Sequence, residues 1–137
     1  MAGLGELVDK FGREITYMRI SVTDRCNLRC VYCMPEEGVK SKTHDEMLTI
    51  EEFARVGRIA STLGISRVRI TGGEPLARKG LVSLVRAVAA QPGIRDVSMT
   101  TNATMLAPMA DELAGAGLRR VNISLDSLKP DTYARLT

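Results

Sequence analysis

The sequence predicts an α/β fold built from repeated β-α units, and a few of its features carry that prediction. Segments at 15–23, 67–71, 96–101 and 120–125 alternate apolar and polar side chains, as half-buried strands do. Stretches of helical spacing lie between them, and Gly, Pro and Asn mark the junctions. Strand, helix and strand in succession imply parallel strands joined by right-handed crossovers, in an α/β sheet or barrel.

Residues 15–23 (ITYMRISVT) are rich in β-branched and aromatic side chains and run into a loop that continues to about Leu48. Thr49 followed by Glu52 forms a capping-box signature. Ile50, Phe53, Ala54, Gly57, Ala60 and Leu63 then recur at helical spacing before Gly64 closes the first helix. Strand 67–71 (RVRIT) enters the turn Gly72-Gly73-Glu74-Pro75, and a second helix carrying Leu81, Leu84, Val85 and Val88 stops at Gln91-Pro92-Gly93. After strand 96–101 a third helix is expected over 107–116, with Pro108 in its first turn and Gly117 at its end. It leads to the strand at 120–125, and Pro130 with Asp131 reads as the start of a further helix.

Parallel strands covered on both faces usually read as continuous apolar runs, whereas all of these alternate. Met18, Ile20 and Val22 oppose Tyr17, Arg19, Ser21 and Thr23, and Val68 and Ile70 oppose Arg67, Arg69 and Thr71. Val97, Met99 and Thr101 oppose Ser98, Thr100 and Asn102, while Val121, Ile123 and Leu125 oppose Asn122, Ser124 and Asp126. With the apolar faces against helices, the polar faces converge, and burying them unpaired costs roughly 1–3 kcal/mol per group. The expectation is a ligand-lined lumen; the alternative is a sheet face open to solvent.

The chain of 137 residues, 45% hydrophobic and 26% charged, has the composition of one compact globular domain. No apolar run approaches the roughly 20 residues of a membrane span. A net charge of +3, with two Phe, three Tyr and no Trp, gives neither the basic surface nor the stacking platforms of a nucleic-acid binder. Cys26, Cys30 and Cys33 are the only cysteines, and an odd, clustered set reads as metal or redox chemistry in the cytoplasm rather than as disulfides.

Those cysteines form Cys-x3-Cys-x2-Cys directly after the first strand, at the carboxyl end where α/β folds place their sites. Thiolates in this number hold all but one of the irons of a [4Fe–4S] cluster and leave that iron free for an exchangeable ligand. The alternative is a zinc site completed by His44, but closed zinc sites usually use two short-spaced ligand pairs, which favours the cluster.

The string Ser21-Val-Thr-Asp-Arg-Cys26-Asn-Leu-Arg-Cys30-Val-Tyr-Cys33-Met-Pro35 resembles the signature of the radical S-adenosylmethionine (SAM) superfamily. Thr71-Gly-Gly-Glu-Pro75 resembles the glycine-rich motif that follows it there. Together with Met34-Pro35, the Arg19 strand, Arg69-Ile-Thr-Gly-Gly-Glu-Pro-Leu, Thr100-Thr-Asn and Asn122-Ile-Ser-Leu-Asp-Ser-Leu, these strings resemble the GTP 3′,8-cyclase family of molybdenum cofactor biosynthesis. The resemblance runs from about Phe11 to Thr137.

It implies part of a TIM-like, incomplete barrel, with residues 1–137 as the N-terminal part of the radical SAM core domain. It also implies a [4Fe–4S] cluster and SAM as cofactors. GTP is the implied substrate, converted to 3′,8-cyclo-7,8-dihydroguanosine 5′-triphosphate. The family works with the cyclic pyranopterin monophosphate synthase of the next step, and a homodimer is left open. By motif position, Cys26, Cys30 and Cys33 hold the cluster that cleaves SAM, Tyr32, Gly73 and Ser124 contact SAM, and Arg19, Arg69 and Thr100 contact GTP.

Arg19, Arg69, Thr100 and Ser124 all fall on the polar strand face, so pattern and resemblance agree, and an arginine fork suits phosphate oxygens. Blander readings stay beside these: a lumen salt bridge from an arginine to Asp126, a backbone-shape role for Gly72 and Gly73, and packing for Tyr32. Met34 and Met47 read as gap-fillers. The family's second cluster, held by later cysteines, and its later lysine and methionine have no counterpart here. Ala103 stands where many relatives have glycine. Another radical SAM enzyme, such as a peptide-modifying one, would share the cysteines and glycines but not Arg19, Arg69 and the Asn122 string. A non-catalytic iron–sulfur and SAM-binding fragment would share everything.

Overall fold

The computed structural model describes residues 6–40 and 42–137. Four parallel strands, β1 (Tyr17–Ser21), β2 (Arg67–Thr71), β3 (Asp96–Thr101) and β4 (Arg120–Ile123), stand in the order β1-β2-β3-β4. Helices α1 (Ile50–Thr62), α2 (Leu81–Ala89) and α3 (Ala110–Ala116) make the crossovers, and α4 (Pro130–Leu136) follows β4. Each strand is added beside its predecessor with no reversal of order, which is barrel-type winding rather than the doubly wound arrangement with its switch point.

Local chemistry sets each helix. Thr49 and Glu52 form the expected capping box: the Glu52 amide donates to Thr49 Oγ1 at 3.1 Å, and the Thr49 amide donates to Glu52 Oε2 at 2.7 Å. From there α1 turns Phe53, Gly57 and Ala60 inward. Leu81, Leu84, Val85 and Val88 of α2 and Leu113 and Ala116 of α3 complete one core with Ile20, Val22, Val68, Ile70, Val97 and Met99. Burying a Leu or Phe of this set stabilises by about 1.5–3 kcal/mol. Gly117 ends α3 at φ +107°, a left-handed conformation that glycine adopts without strain.

Some expectations are corrected. The first strand is shorter than 15–23, because the Thr16 carbonyl turns aside to accept the amides of Ser66 and Arg67. The fourth spans 120–123 rather than 120–125, continuing only through the Ser124 amide to the Thr101 carbonyl at 2.9 Å. The helix expected over 107–116 opens as a 3-10 turn, Ala107–Met109, where Pro108 has no amide to donate. Near the N-terminus an antiparallel bridge joins Val8 to Glu14 around a turn closed by Asp9, whose carboxylate accepts from the amides of Phe11 and Arg13.

The polar faces lie on the side of the sheet away from the helices. Because α1, α2 and α3 share one core on the apolar side, the sheet alternates as a one-sided sheet does. The opposite face is not closed into a lumen by these strands: Arg19, Ser21, Asn122 and Ser124 are exposed, Arg69, Thr71 and Thr100 half-buried, and Thr23 and Ser98 are buried. No described helix is long and apolar enough to cross a membrane.

Candidate functional site

The polar face is set out by strand register. Arg19 pairs with Arg69, and Arg69 with Ser98, so two guanidinium side chains stand side by side on adjacent strands. Arg69 Nε donates to Ser98 Oγ at 3.4 Å, and its guanidinium lies 5.9 Å from the centre of the Tyr17 ring. Among the described residues the salt bridges are Arg13–Asp9 and Arg120–Asp96, so neither Arg19 nor Arg69 is neutralised by a carboxylate. The salt bridge to Asp126 weighed as an alternative does not form, since Asp126 accepts from Tyr32 instead. Thr100 lies nearer the carboxyl end of the sheet, in register with Asn122, and Ser124 follows on the rim.

The loop carrying Cys26, Cys30 and Cys33 leaves β1 at that same rim, and all three thiols are free. Backbone and side-chain bonds shape it. The Leu28 amide donates to Cys26 Sγ at 3.5 Å, the Cys33 amide donates to the Cys30 carbonyl at 2.9 Å, and Arg29 Nη1 donates to the carbonyls of Cys26 and Leu28. A cleft of about 180 Å³ beside Cys26 is lined by Asp24, Arg25, Arg29, Met34 and Val39. Met34 thus borders the cysteine loop rather than filling the core, and Met47 lines a neighbouring cleft. Tyr32 is 66% exposed. Its hydroxyl donates to Asp126 Oδ1 at 2.7 Å, and that bond, with the neighbouring Cys30 thiol, holds the phenol pKa above the usual tyrosine range.

The glycine turn packs against this loop more closely than any side chain would allow. A Cβ on Gly73 would fall 2.7 Å from the Arg25 carbonyl carbon and 2.9 Å from the Asp24 oxygen, with the Arg25 oxygen closer still. In that contact the Gly73 amide donates to the Thr23 carbonyl and the Glu74 amide to the Arg25 carbonyl, each at 2.8 Å. The backbone-shape reading of Gly73 therefore holds beside any ligand role.

Sequence reasoning missed Glu74, which is 1% exposed. Its Oε1 accepts from Thr101 Oγ1 at 2.6 Å and from the Leu76 amide at 3.1 Å, and its Oε2 accepts from the Asn102 amide at 2.8 Å. A carboxylate between glycine and proline at a strand end was the available signal. Asn27, Asn102 and Thr104 were missed as well and lie beside the cysteine loop.

The donor set fits an iron–sulfur cluster: thiols on one loop, a backbone amide already directed at one sulfur, and arginines beside an anionic group. Among the described residues no three Cys, His, Asp or Glu side chains are gathered at one point, so the loop presents its thiols singly. The His44 side chain, the zinc alternative, lies outside the described residues.

Residues 20–137 match the family described as the Radical SAM superfamily. The GTP 3′,8-cyclase of Desulforamulus reducens is 57% identical over 131 residues, which are 96% of this chain and 40% of that protein. The GTP 3′,8-cyclase of Geobacter sulfurreducens is 53% identical over 132 residues, with 96% and 40% covered. The chain thus spans about 40% of the length of these relatives. Among solved structures, Streptococcus suis SuiB bound to S-adenosylmethionine superposes with a TM-score of 0.66 at 23% identity, over 88% of this chain and 27% of that one. BtrN in complex with AdoMet and 2-DOIA superposes with a TM-score of 0.65 at 19% identity, over 87% and 49%. At such identities the likeness is one of fold.

Proposed function

The chain belongs to the radical SAM superfamily, and from that premise we propose that it supplies the cluster loop, the SAM contacts and part of the GTP surface of a GTP 3′,8-cyclase. Cys26, Cys30 and Cys33 are the residues that would hold the [4Fe–4S] cluster. When bound, the cluster would supply the electron for reductive cleavage of SAM to methionine and a 5′-deoxyadenosyl radical, the species that would take hydrogen from the substrate ribose.

The chain's own residues bind and orient. In this reading the Gly73 backbone faces the methionine end of SAM, Tyr32 borders its adenine, and Ser124 contacts it from the rim. Arg19 and Arg69 hold the triphosphate of GTP deeper on the polar face, with Thr100 between the two groups. Positioning of this kind, rather than acid–base chemistry, is what a radical reaction asks of its protein. The same reading places the chain in the cytoplasm, where unpaired thiols stay reduced, and hands its product to the next enzyme of molybdenum cofactor synthesis.

The observation that carries this reading is the Arg19–Arg69 pair. Like charges in register on neighbouring strands destabilise a sheet, and an anion between them removes the repulsion while both forks stay planar and bidentate. The test is Arg69→Ala in the full-length cyclase bearing these residues, with GTP and SAM binding measured by calorimetry. GTP binding is expected to weaken by about 1.5–3 kcal/mol with SAM binding nearly unchanged. An equal loss for both ligands would make Arg69 a structural residue.

A further inference from the structure

Three polar side chains next to the cysteine loop close a hydrogen-bonded ring. Asn102 Nδ2 donates to Asn27 Oδ1 at 2.9 Å, Asn27 Nδ2 donates to Thr104 Oγ1 at 2.7 Å, and Thr104 Oγ1 donates to Asn102 Oδ1 at 2.9 Å. The amide orientation of Asn102 is fixed independently. The Thr104 backbone N–H, which can only donate, reaches Asn102 Oδ1 at 3.1 Å, so Nδ2 must face the other way. On that side it lies between Asn27 and Cys26, 4.0 Å from Cys26 Sγ.

The ring is anchored to the rigid part of the fold. The Asn102 amide donates to buried Glu74, whose other oxygen accepts from Thr101 Oγ1, and Thr101 Oγ1 in turn accepts from the Ala103 amide at 3.0 Å. Ala103 is held at φ +64°, the only non-glycine residue with positive φ among the described residues, and such a conformation persists only where its surroundings enforce it. The end of β3, the glycine turn and the cysteine loop are therefore one hydrogen-bonded unit, and Asn102 is the member that faces sulfur.

We propose that Asn102 is a positioning residue for the cluster: its side-chain amide holds the loop at Asn27 and donates to the Cys26 sulfur. This rests on the reading of Cys26 as a cluster ligand. A hydrogen-bond donor at a ligating sulfur favours the more negative, reduced cluster and so raises its potential. Asn102→Asp keeps the shape, the backbone amide and the Oδ1 acceptor but removes the donor, and Asn102→Ala removes it without adding charge.

The experiment is an anaerobic redox titration of the iron-reconstituted chain, followed by electron paramagnetic resonance, with bound iron and the far-ultraviolet circular dichroism spectrum measured on each protein. The expected result is a cluster potential below that of the unmodified chain in both variants, lower in Asn102→Asp, with the fold retained. Unchanged potentials at full iron content would overturn the proposal. Unfolding of both variants would overturn it equally, by assigning Asn102 to the fold rather than to the cysteine. Failure of the unmodified chain to take up iron would instead strike the reading of the cysteines, so the two failures are told apart.

Discussion

Replacing Gly73 with alanine probes the contact on which the site is built. The added Cβ would stand 2.7 Å from the Arg25 carbonyl carbon, and carbon atoms pack at about 3.5–4.0 Å, so the turn and the cysteine loop must part by roughly 1 Å. That movement stretches the Gly73–Thr23 and Glu74–Arg25 bonds, both 2.8 Å now, beyond hydrogen-bonding range. Two lost bonds at about 0.5–1.5 kcal/mol each, with about 1–3 kcal/mol for overpacking, predict a loss of about 2–6 kcal/mol. Urea denaturation of the isolated chain reads that loss, and iron content after anaerobic reconstitution reads the displaced loop. Gly115→Ala is the control: it lies in α3 with nothing within 4 Å of the new Cβ and is expected to gain about 0.5–1 kcal/mol. A Gly73→Ala chain within about 0.5 kcal/mol of the original and with full iron would refute the argument that this approach positions the cysteines.

Two smaller perturbations test the surroundings. Ala103→Gly relieves a left-handed conformation worth about 1–2 kcal/mol at the expense of about 0.5–1 kcal/mol of chain entropy, so a net gain of about 0.5–1 kcal/mol in denaturation is expected; a loss would mean that the turn is unstrained. On β4, Val121, Ile123 and the following Leu125 are 38%, 53% and 56% exposed, so the isolated chain is expected to self-associate in sedimentation velocity and Ile123→Lys to shift it toward monomer. A monomeric unmodified chain would contradict that.

What the sequence made legible was local. Strands 67–71 and 96–101 match β2 and β3 in full, because alternation is written into consecutive residues, and Thr49 with Glu52 announces α1 through a cap only a few residues long. The polar face was legible too, but not that register sets Arg19 beside Arg69, since strand pairing depends on the turns between them. Glu74 was hidden because its partners Thr101 and Asn102 lie 27 and 28 residues away, and the Asn27–Asn102–Thr104 ring because it joins residues 75 and 77 apart. Closure of the polar face was not legible either, because it depends on how many strands join the sheet, which alternation within each strand does not encode.

In the proposed function Cys26, Cys30 and Cys33 together hold a cluster with one iron open to SAM. Electron paramagnetic resonance of the anaerobically reconstituted and reduced chain, with and without SAM, tests it most directly. The expected result is a [4Fe–4S] signal that changes when SAM is added and that is lost when any one of the cysteines is replaced by alanine. Tightly bound zinc with no iron, a signal indifferent to SAM, or normal iron content in the Cys30→Ala chain would contradict it.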